Sequence, residues 1–322
     1  MVNRRDWLLA TSSTLACGAW AQSAAFPSKP IRVVTSSVPG GPADVALRRI
    51  APTVSELLKY PVIVDNRPGA NGVIAAQEVM RAPHDGHTLL NATVSLTVND
   101  AVRPSEGARI FQNLLPLTDL SQGPLVLLVN PSVPARNGRE LVAYGKASPN
   151  ALSYGSGGPA SFLQITGERL KIETGLVMNE VPYRSPGADI IDLIAGHIQV
   201  GFTVWGACEQ HVKTGKLRAL AVAAGKRIPI APELPTFSEA GLGSIVATAW
   251  TGLFAPSGIP PDVMGLLNRT FADAARRPDY VAFYTRDGSE VGGKTSEQFA
   301  QFLRLEQQHF REVIAKANIK VE

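Results

Sequence analysis

Cysteine, histidine and charge are all scarce in this chain, and each shortage narrows the chemistry. Two of 322 residues are cysteine, Cys17 and Cys208, and five are histidine. Cys17 falls in a segment expected to be removed, and the one cysteine left cannot close an internal disulfide. Cys208 would need a base to act as a nucleophile. His211 is three residues on, but a buried small hydrophobe is the simpler reading. The histidines lie scattered at 84, 87, 197, 211 and 309, with no H-E-x-x-H among them. His84 and His87 flank the Asp85-Gly86 turn, where a metal would lack a third ligand. No G-x-S-x-G elbow occurs, although a Ser-His-Asp triad assembled in space stays open. Charged residues make up 18% and the net charge is +4, without basic runs, so nothing here tracks a nucleic acid.

Hydrophobic residues make up 45%. That is enough for a large core, for two domains, and against disorder. The opening MVNRRDWLLATSSTLACGAWAQ reads as an export signal over 1–21. Its features are a basic start at Arg4-Arg5, an apolar small-residue stretch and an A-x-A site at 19–21. Cleavage after Ala25 is the alternative. The paired arginines before Trp7-Leu8-Leu9 fit the twin-arginine route and an ordinary secretion signal alike. A lipoprotein box at Cys17 is spoiled by Thr14. No later segment is apolar for long enough to span a membrane. An exported chain with a large core and no disulfide suits a bacterial periplasm.

Strand-like and helix-like pieces alternate, which predicts an α/β fold with largely parallel sheets. Strands are expected at 31–36, 62–65, 124–130, 217–224 and around 250–255. Helices are expected at 42–59, 73–82, around 138–147 and at 296–318. Thr295 and Gln298 form a capping box for the last. Its inner face is Phe299, Phe302, Leu303, Phe310, Val313 and Ile314. Two apolar strands, 124–130 and 250–255, bracket a block with its own alternation. The expected organisation is therefore 22–122 and 251–322 as one lobe and 123–250 as the other.

Three loops carry candidate chemistry. S37-V-P-G-G-P-A-D44 joins a strand to a helix: Pro42 suits the first helical turn, Asp44 favours the dipole, and Gly40 and Gly41 let a ligand approach their N–H groups. No Lys follows, so it is not a phosphate loop. It is either a carboxylate-binding turn or a plain one. G155-S-G-G-P-A160 matches G-x-G-x-x-A, with Glu180 twenty residues on, and reads as a dinucleotide fingerprint or, more simply, a Ser/Gly anion loop using Ser156, Gly157, Gly158 and Ser161. Y183-R-S-P-G-A-D189 feeds another helix start, with the Tyr183 hydroxyl, close approach at Gly187, and Asp189 as a cap or a plain turn residue. Ligands of open α/β sheets sit beyond the carboxyl ends of strands, where all three loops fall.

The ordered motifs resemble the Bug receptor family, the extracytoplasmic solute-binding proteins of tripartite tricarboxylate transporters. They are FPSKPIRVV (26–34), PGGPAD (39–44), DNRPGANG (65–72), PHDGHTLL (83–90), LSYGSGGPAS (152–161), VPYRS (181–185), GKLRALAV (215–222), LPTFSEAGL (234–242) and the W-x-G-L-F-A-P-S-G run at 250–258. The resemblance implies a two-lobed, hinge-closing fold of the type II periplasmic-binding-protein kind. It implies a small carboxylate between the lobes, no cofactor or metal, and membrane transporter subunits as partners of a monomeric receptor. A ligand sensor for a signalling partner, or an exported dehydrogenase or hydrolase, are the alternatives. Carried onto this chain, one lobe supplies Ser37, Pro39, Gly40, Gly41, Asp44, Asn91, Thr93 and Ser95. The other supplies Ser156, Gly157, Gly158, Ser161, Tyr183, Gly187, Ala188 and Asp189. The chain departs from the family at Phe162 (usually His), Ser185 (usually Gly), 187–189 (usually Ala-Pro-Ala-like) and Gln199 (usually Asp). An Asp189 facing the ligand would oppose a second carboxylate. An Asp189 capping its helix would leave the pocket unchanged.

Overall fold

A computed structural model describes residues 26–183, 187–286, 288–317 and 319. The expected export signal, both cleavage positions, Cys17 and Ser185 lie outside the described residues. The strand–helix alternation builds a mixed α/β fold on a ten-stranded sheet. In its first half, β1 (Ile31–Thr35) lies parallel between β2 (Val62–Asn66) and β3 (Thr88–Thr93). The long strand β4 (Leu114–Val129) then carries the chain into the second half, where β5 (Ser153–Ser156) runs parallel to β6 (Asn179–Pro182) and β7 (Val200–Val204).

Two strands tie the halves together. Residues 114–124 of β4 pair antiparallel with β9 (Thr248–Pro256), and residues 125–129 pair with β7 and with β8 (Arg218–Val222). The change of partner falls at Pro124 and Leu125. Proline has no N–H to give a ladder, so a strand tolerates it where pairing changes or bulges. Pro116 obeys the same rule, beside a register shift at Pro116/Thr118.

Helices cover both faces. α1 (Pro42–Leu58) buries Ala43, Ala46, Leu47, Ile50 and Val54, at three- and four-residue spacing, against β1 and α9 (Pro261–Ala275). On the opposite face, α11 (Ser296–Ala317) begins in the predicted capping box: Gln298 N–H donates to Thr295 Oγ1 (3.2 Å) and Thr295 N–H to Gln298 Oε1 (3.0 Å). Its Phe299, Leu303, Phe310 and Val313 are buried in one apolar cluster with Leu90 and Val98 of the first half and Tyr154 and Ile165 of the second. The two halves thus share a core beneath α11. Among the described residues, no helix is long and apolar enough to cross a membrane.

Candidate functional site

β1 and β3 are parallel neighbours in the first half, as β5 and β6 are in the second, so each pair ends side by side. Four loops leave from these ends. The first runs from Thr35 to α1. Gly40 sits at φ +78°, a conformation glycine adopts freely, with open space where a Cβ would stand. Gly41 is needed for a different reason: a Cβ there would fall 2.3 Å from Ser37 Oγ. Pro42 opens the helix, as expected, and Asp44 is in its first turn.

Asp44 is 1% exposed and organises this loop. It accepts the Gly40 N–H (2.9 Å), the Asn66 amide (2.8 Å) and the Arg48 guanidinium (2.9 Å). Burial alone would raise its carboxyl, but the donors outweigh that and hold it below the usual range. Asn66 also donates to the Ser37 carbonyl (3.0 Å). Beneath, buried Asn91 donates to the Ala43 carbonyl (2.9 Å) and accepts the Thr251 hydroxyl of β9 (2.8 Å). Thr93 and Ser95 stand half-buried at the turn from β3 into α3 (Ser95–Val102).

In the second half, Ser161 caps α6 (Phe162–Thr174) by accepting the Gln164 N–H (3.2 Å). It also accepts the Gly157 N–H (3.0 Å), while Gly158 N–H donates to Ser156 Oγ (2.9 Å) and Ala160 N–H to Gln164 Oε1 (2.6 Å). The Ser156 hydroxyl donates to Glu180, whose other oxygen accepts the Gln164 amide (2.7 Å). The Tyr183 hydroxyl donates to Asp192 (2.7 Å). Its own ionisation is pushed up to about 12, by burial and then by Asp192. Gly187, at φ +81°, precedes α7 (Ala188–Ala195).

This corrects the picture of bare amides. Gly40 N–H serves Asp44, Gly41 N–H serves the Val38 carbonyl (3.0 Å), and the 157–161 amides serve their own loop. The glycines provide left-handed turns and close packing, and their N–H groups are already spent. Neither a pyrophosphate cradle nor a ready anion nest is left in the G-x-G-x-x-A loop.

The halves face each other across a cavity of about 320 Å³, lined by Ala70, Asn71, Asn99 and Arg103 on one side and Pro159 and Ala160 on the other. Among the described residues, no hydrogen bond or ion pair joins the first-half loops to the second-half loops. Sequence reasoning did not single out Asn66, Asn71, Asn99 or Arg103. The Asn-Gly pair of 71–72 was the available signal, since Asn71 sits at φ +52° and Gly72 at φ +94°. A larger cavity, about 860 Å³, lies elsewhere at the crossing, against Gln122, Pro124, Ile228, Val246 and Thr248. None of the site residues expected from sequence lines either cavity.

The remaining candidates are structural. His87 is buried, accepts the Ser28 N–H at Nε2 (3.1 Å) and packs on Phe26. Cys208 is buried in α8 (Trp205–Lys213), its thiol on the Trp205 carbonyl (3.3 Å). Among the described residues, no cluster of His, Cys, Asp and Glu could hold a metal.

A sheet in two halves, strung on two crossing strands with loops converging from both sides, defines the periplasmic-binding-protein class. The profile described as tripartite tricarboxylate transporter family receptor (TctC) matches residues 46–319, and the chain belongs to that family. Protein BugT of Bordetella pertussis is 30% identical over 299 residues, 92% of each chain. A solved periplasmic transporter structure is 35% identical, with a TM-score of 0.81 over 92% of this chain and all of that one. An R. palustris protein solved with adipate is 28% identical (TM-score 0.81; 92% and 99% covered). MatC of Rhodopseudomonas palustris, with bound malate, is 27% identical (TM-score 0.77; 90% and 100% covered). The family is one of solute-binding receptors.

Proposed function

We propose that this protein is an exported periplasmic receptor that captures one small carboxylate between its two halves and presents it to a membrane transporter of the tripartite tricarboxylate type. One observation carries the reading: a cavity lies between the two halves, lined by Ala70, Asn71, Asn99 and Arg103 of the first and by Pro159 and Ala160, in the loop after β5, of the second. Such placement is where open α/β sheets bind ligands. Arg103 borders that cavity half-exposed, and its nearest carboxylate, Glu106, is 3.9 Å away. Its guanidinium is therefore available to a ligand carboxylate. Among the described residues, the Thr93 and Ser95 hydroxyls on the same half have no hydrogen-bond partner, and both residues are half-buried. Relatives solved with adipate and malate support the ligand class.

The halves, 22–122 with 251–322 and 123–250, would close by bending at 121–124 and 248–252. Motion pivots on α11, because that helix packs on both. A thermal-shift screen of small carboxylates tests the reading. A ligand present at one hundred times its Kd adds about 2.7 kcal/mol of stability. No shift with any carboxylate, together with a shift from a nicotinamide cofactor, overturns it in favour of an exported dehydrogenase.

A further inference from the structure

The cavity of about 860 Å³ at the strand crossing shares no residue with the one between the cleft loops. Three parts of the chain line it. The first is the crossing itself, with Gln122 and Pro124 of β4 and Thr248 of β9. The second is 224–230, the segment that follows β8. The third is Thr285 with 288–291, where α10 (Pro278–Arg286) turns into β10 (Glu290–Val291). Every charged group of the lining already has a partner. Lys226 pairs with Glu290 (3.2 Å), from one segment to the other and away from the cleft loops. Arg227 donates to Glu239 (2.9 Å) and to the Pro232 carbonyl (2.9 Å). Much of the remaining lining is apolar, with Ile228, Ile230, Val246 and Val291. The unmet groups are neutral donors. Among the described residues, the Thr248, Thr285 and Ser289 hydroxyls make no hydrogen bond. Gly288 brings an indole close behind the lining: a Cβ on residue 288 would lie 3.5 Å from Trp205 Cδ1, and the adjoining Nε1 is buried without a partner.

We infer that this cavity is a second ligand site, separate from the carboxylate cleft, for an uncharged molecule with a ring-sized apolar body and a hydrogen-bond acceptor such as a ketone. A roomy, mainly apolar cavity where two lobes meet, with a few hydroxyls in its lining, is the usual form of a small-molecule site. Charge decides the class. A carboxylate finds no free cation here, and would have to part Lys226 from Glu290 or Arg227 from Glu239. A ring instead buries its faces against the isoleucines and valines. Its acceptor takes a hydroxyl that is otherwise unmet. The inference stands apart from the carboxylate-receptor reading, since it uses none of the cleft residues.

Prodan, an uncharged naphthyl ketone whose emission moves to shorter wavelength on leaving water, tests this on the full mature chain. A saturable shift with one Prodan per chain is expected. 2-Acetylnaphthalene should displace it, and 2-naphthoate, the same ring carrying a carboxylate, should do so at least about tenfold less well. Gly225 is the position to block, because it lines the cavity and a Cβ there meets nothing within 4 Å. Gly225→Phe should weaken Prodan at least about tenfold. The melting temperature of the variant checks that it folds. Ile230→Asp, at an exposed position of the lining, sets a charge against the ring and gives the same loss if the Phe chain does not fold. Arg103→Ala, on the other cavity, should leave the affinity within about twofold. No saturable shift, equal displacement by ketone and naphthoate, or an affinity that survives both lining variants overturns the inference. Loss of binding in Arg103→Ala alone overturns it too, by placing Prodan in the carboxylate cleft. None of these outcomes decides the receptor reading, which the carboxylate screen tests separately.

Discussion

The Asp44 carboxylate turns back on its own loop and accepts the Gly40 N–H at 2.9 Å. A helix start and a candidate ligand jaw are thereby one unit, since the group that favours the α1 dipole also fixes the Pro-Gly-Gly turn. The same carboxylate holds Asn66 at the end of β2 and Arg48 one helical turn on. Three segments of the first half meet on one buried side chain.

Replacing Asp44 should therefore disturb stability and binding together. Asp44→Ala removes the acceptor of the Gly40 N–H, of one Asn66 amide hydrogen and of the Arg48 guanidinium, and because Gly40 is exposed and Asn66 keeps the Ser37 carbonyl the loss is about 1 kcal/mol per hydrogen bond. The unfolding temperature should drop by several degrees, and affinity for the ligand should fall as the turn loosens. The pH dependence has a definite sign. The Asp44 carboxyl is held below its unfolded value, so its contribution is present above that value and is lost as pH falls through the folded one. Asp44→Asn should make unfolding less sensitive to acid than in the native chain. Equal acid sensitivity, measured by denaturant titration between pH 5 and 3, would sink this account.

The buried triangle of Asn91, Thr251 and Ala43 gives a sharper test of how the crossing strands position the jaw. Thr251→Val is nearly isosteric but leaves Asn91 Oδ1 buried without its 2.8 Å donor. A loss of about 1–3 kcal/mol is expected. Thr251→Ser keeps the hydroxyl and should retain most of the stability. Because Asn91 also holds the Ala43 carbonyl, next to Asp44, the Val variant should weaken ligand binding with its stoichiometry unchanged. Val and Ser variants of equal melting temperature would show that the hydroxyl contributes nothing.

Much of this architecture is legible in the sequence because local signals agree with the tertiary outcome. Pro42 and Asp44 mark a helix start, Thr295 and Gln298 close a capping box, and alternating apolar residues mark β1. β4 was only half visible. Its run LLPLTDLSQGPLVLLV is broken by Pro116, Gly123 and Pro124, residues that normally argue against a strand interior. They are accommodated because the strand bulges and changes partner at those points. At the site, sequence shows where glycines lie but not where their N–H groups point. The engagement of Gly40, Gly157 and Gly158 depends on closing hydrogen bonds to Asp44, Ser161 and Ser156. Asn66 was missed for a related reason: its partners Ser37 and Asp44 are 29 and 22 residues away.

The last prediction concerns Glu306, on the α11 face that lies under both halves. Its carboxyl borders a small cavity with Phe162, Arg169, Ala247 and His309. Oε2 is buried without a hydrogen-bond partner, and the Trp250 indole N–H lies near the carboxyl, outside regular hydrogen-bond geometry. Burial raises the carboxyl to about 7, against weaker lowering by Trp250 and Arg169. A group whose folded value is raised takes up a proton on folding. Its contribution is complete below the unfolded value, near 4.5, and fades as pH rises through about 7. Native stability should therefore decline across that window, by at most about 3 kcal/mol from this group. Glu306→Gln, which mimics the protonated form, should flatten the decline and be the more stable chain at pH 8. His309 lines the same cavity, so the comparison is made against His309→Gln as well. Denaturant midpoints at pH 5, 6, 7 and 8 for the three chains decide it. A native slope that survives in Glu306→Gln and vanishes in His309→Gln would assign the proton to the histidine instead.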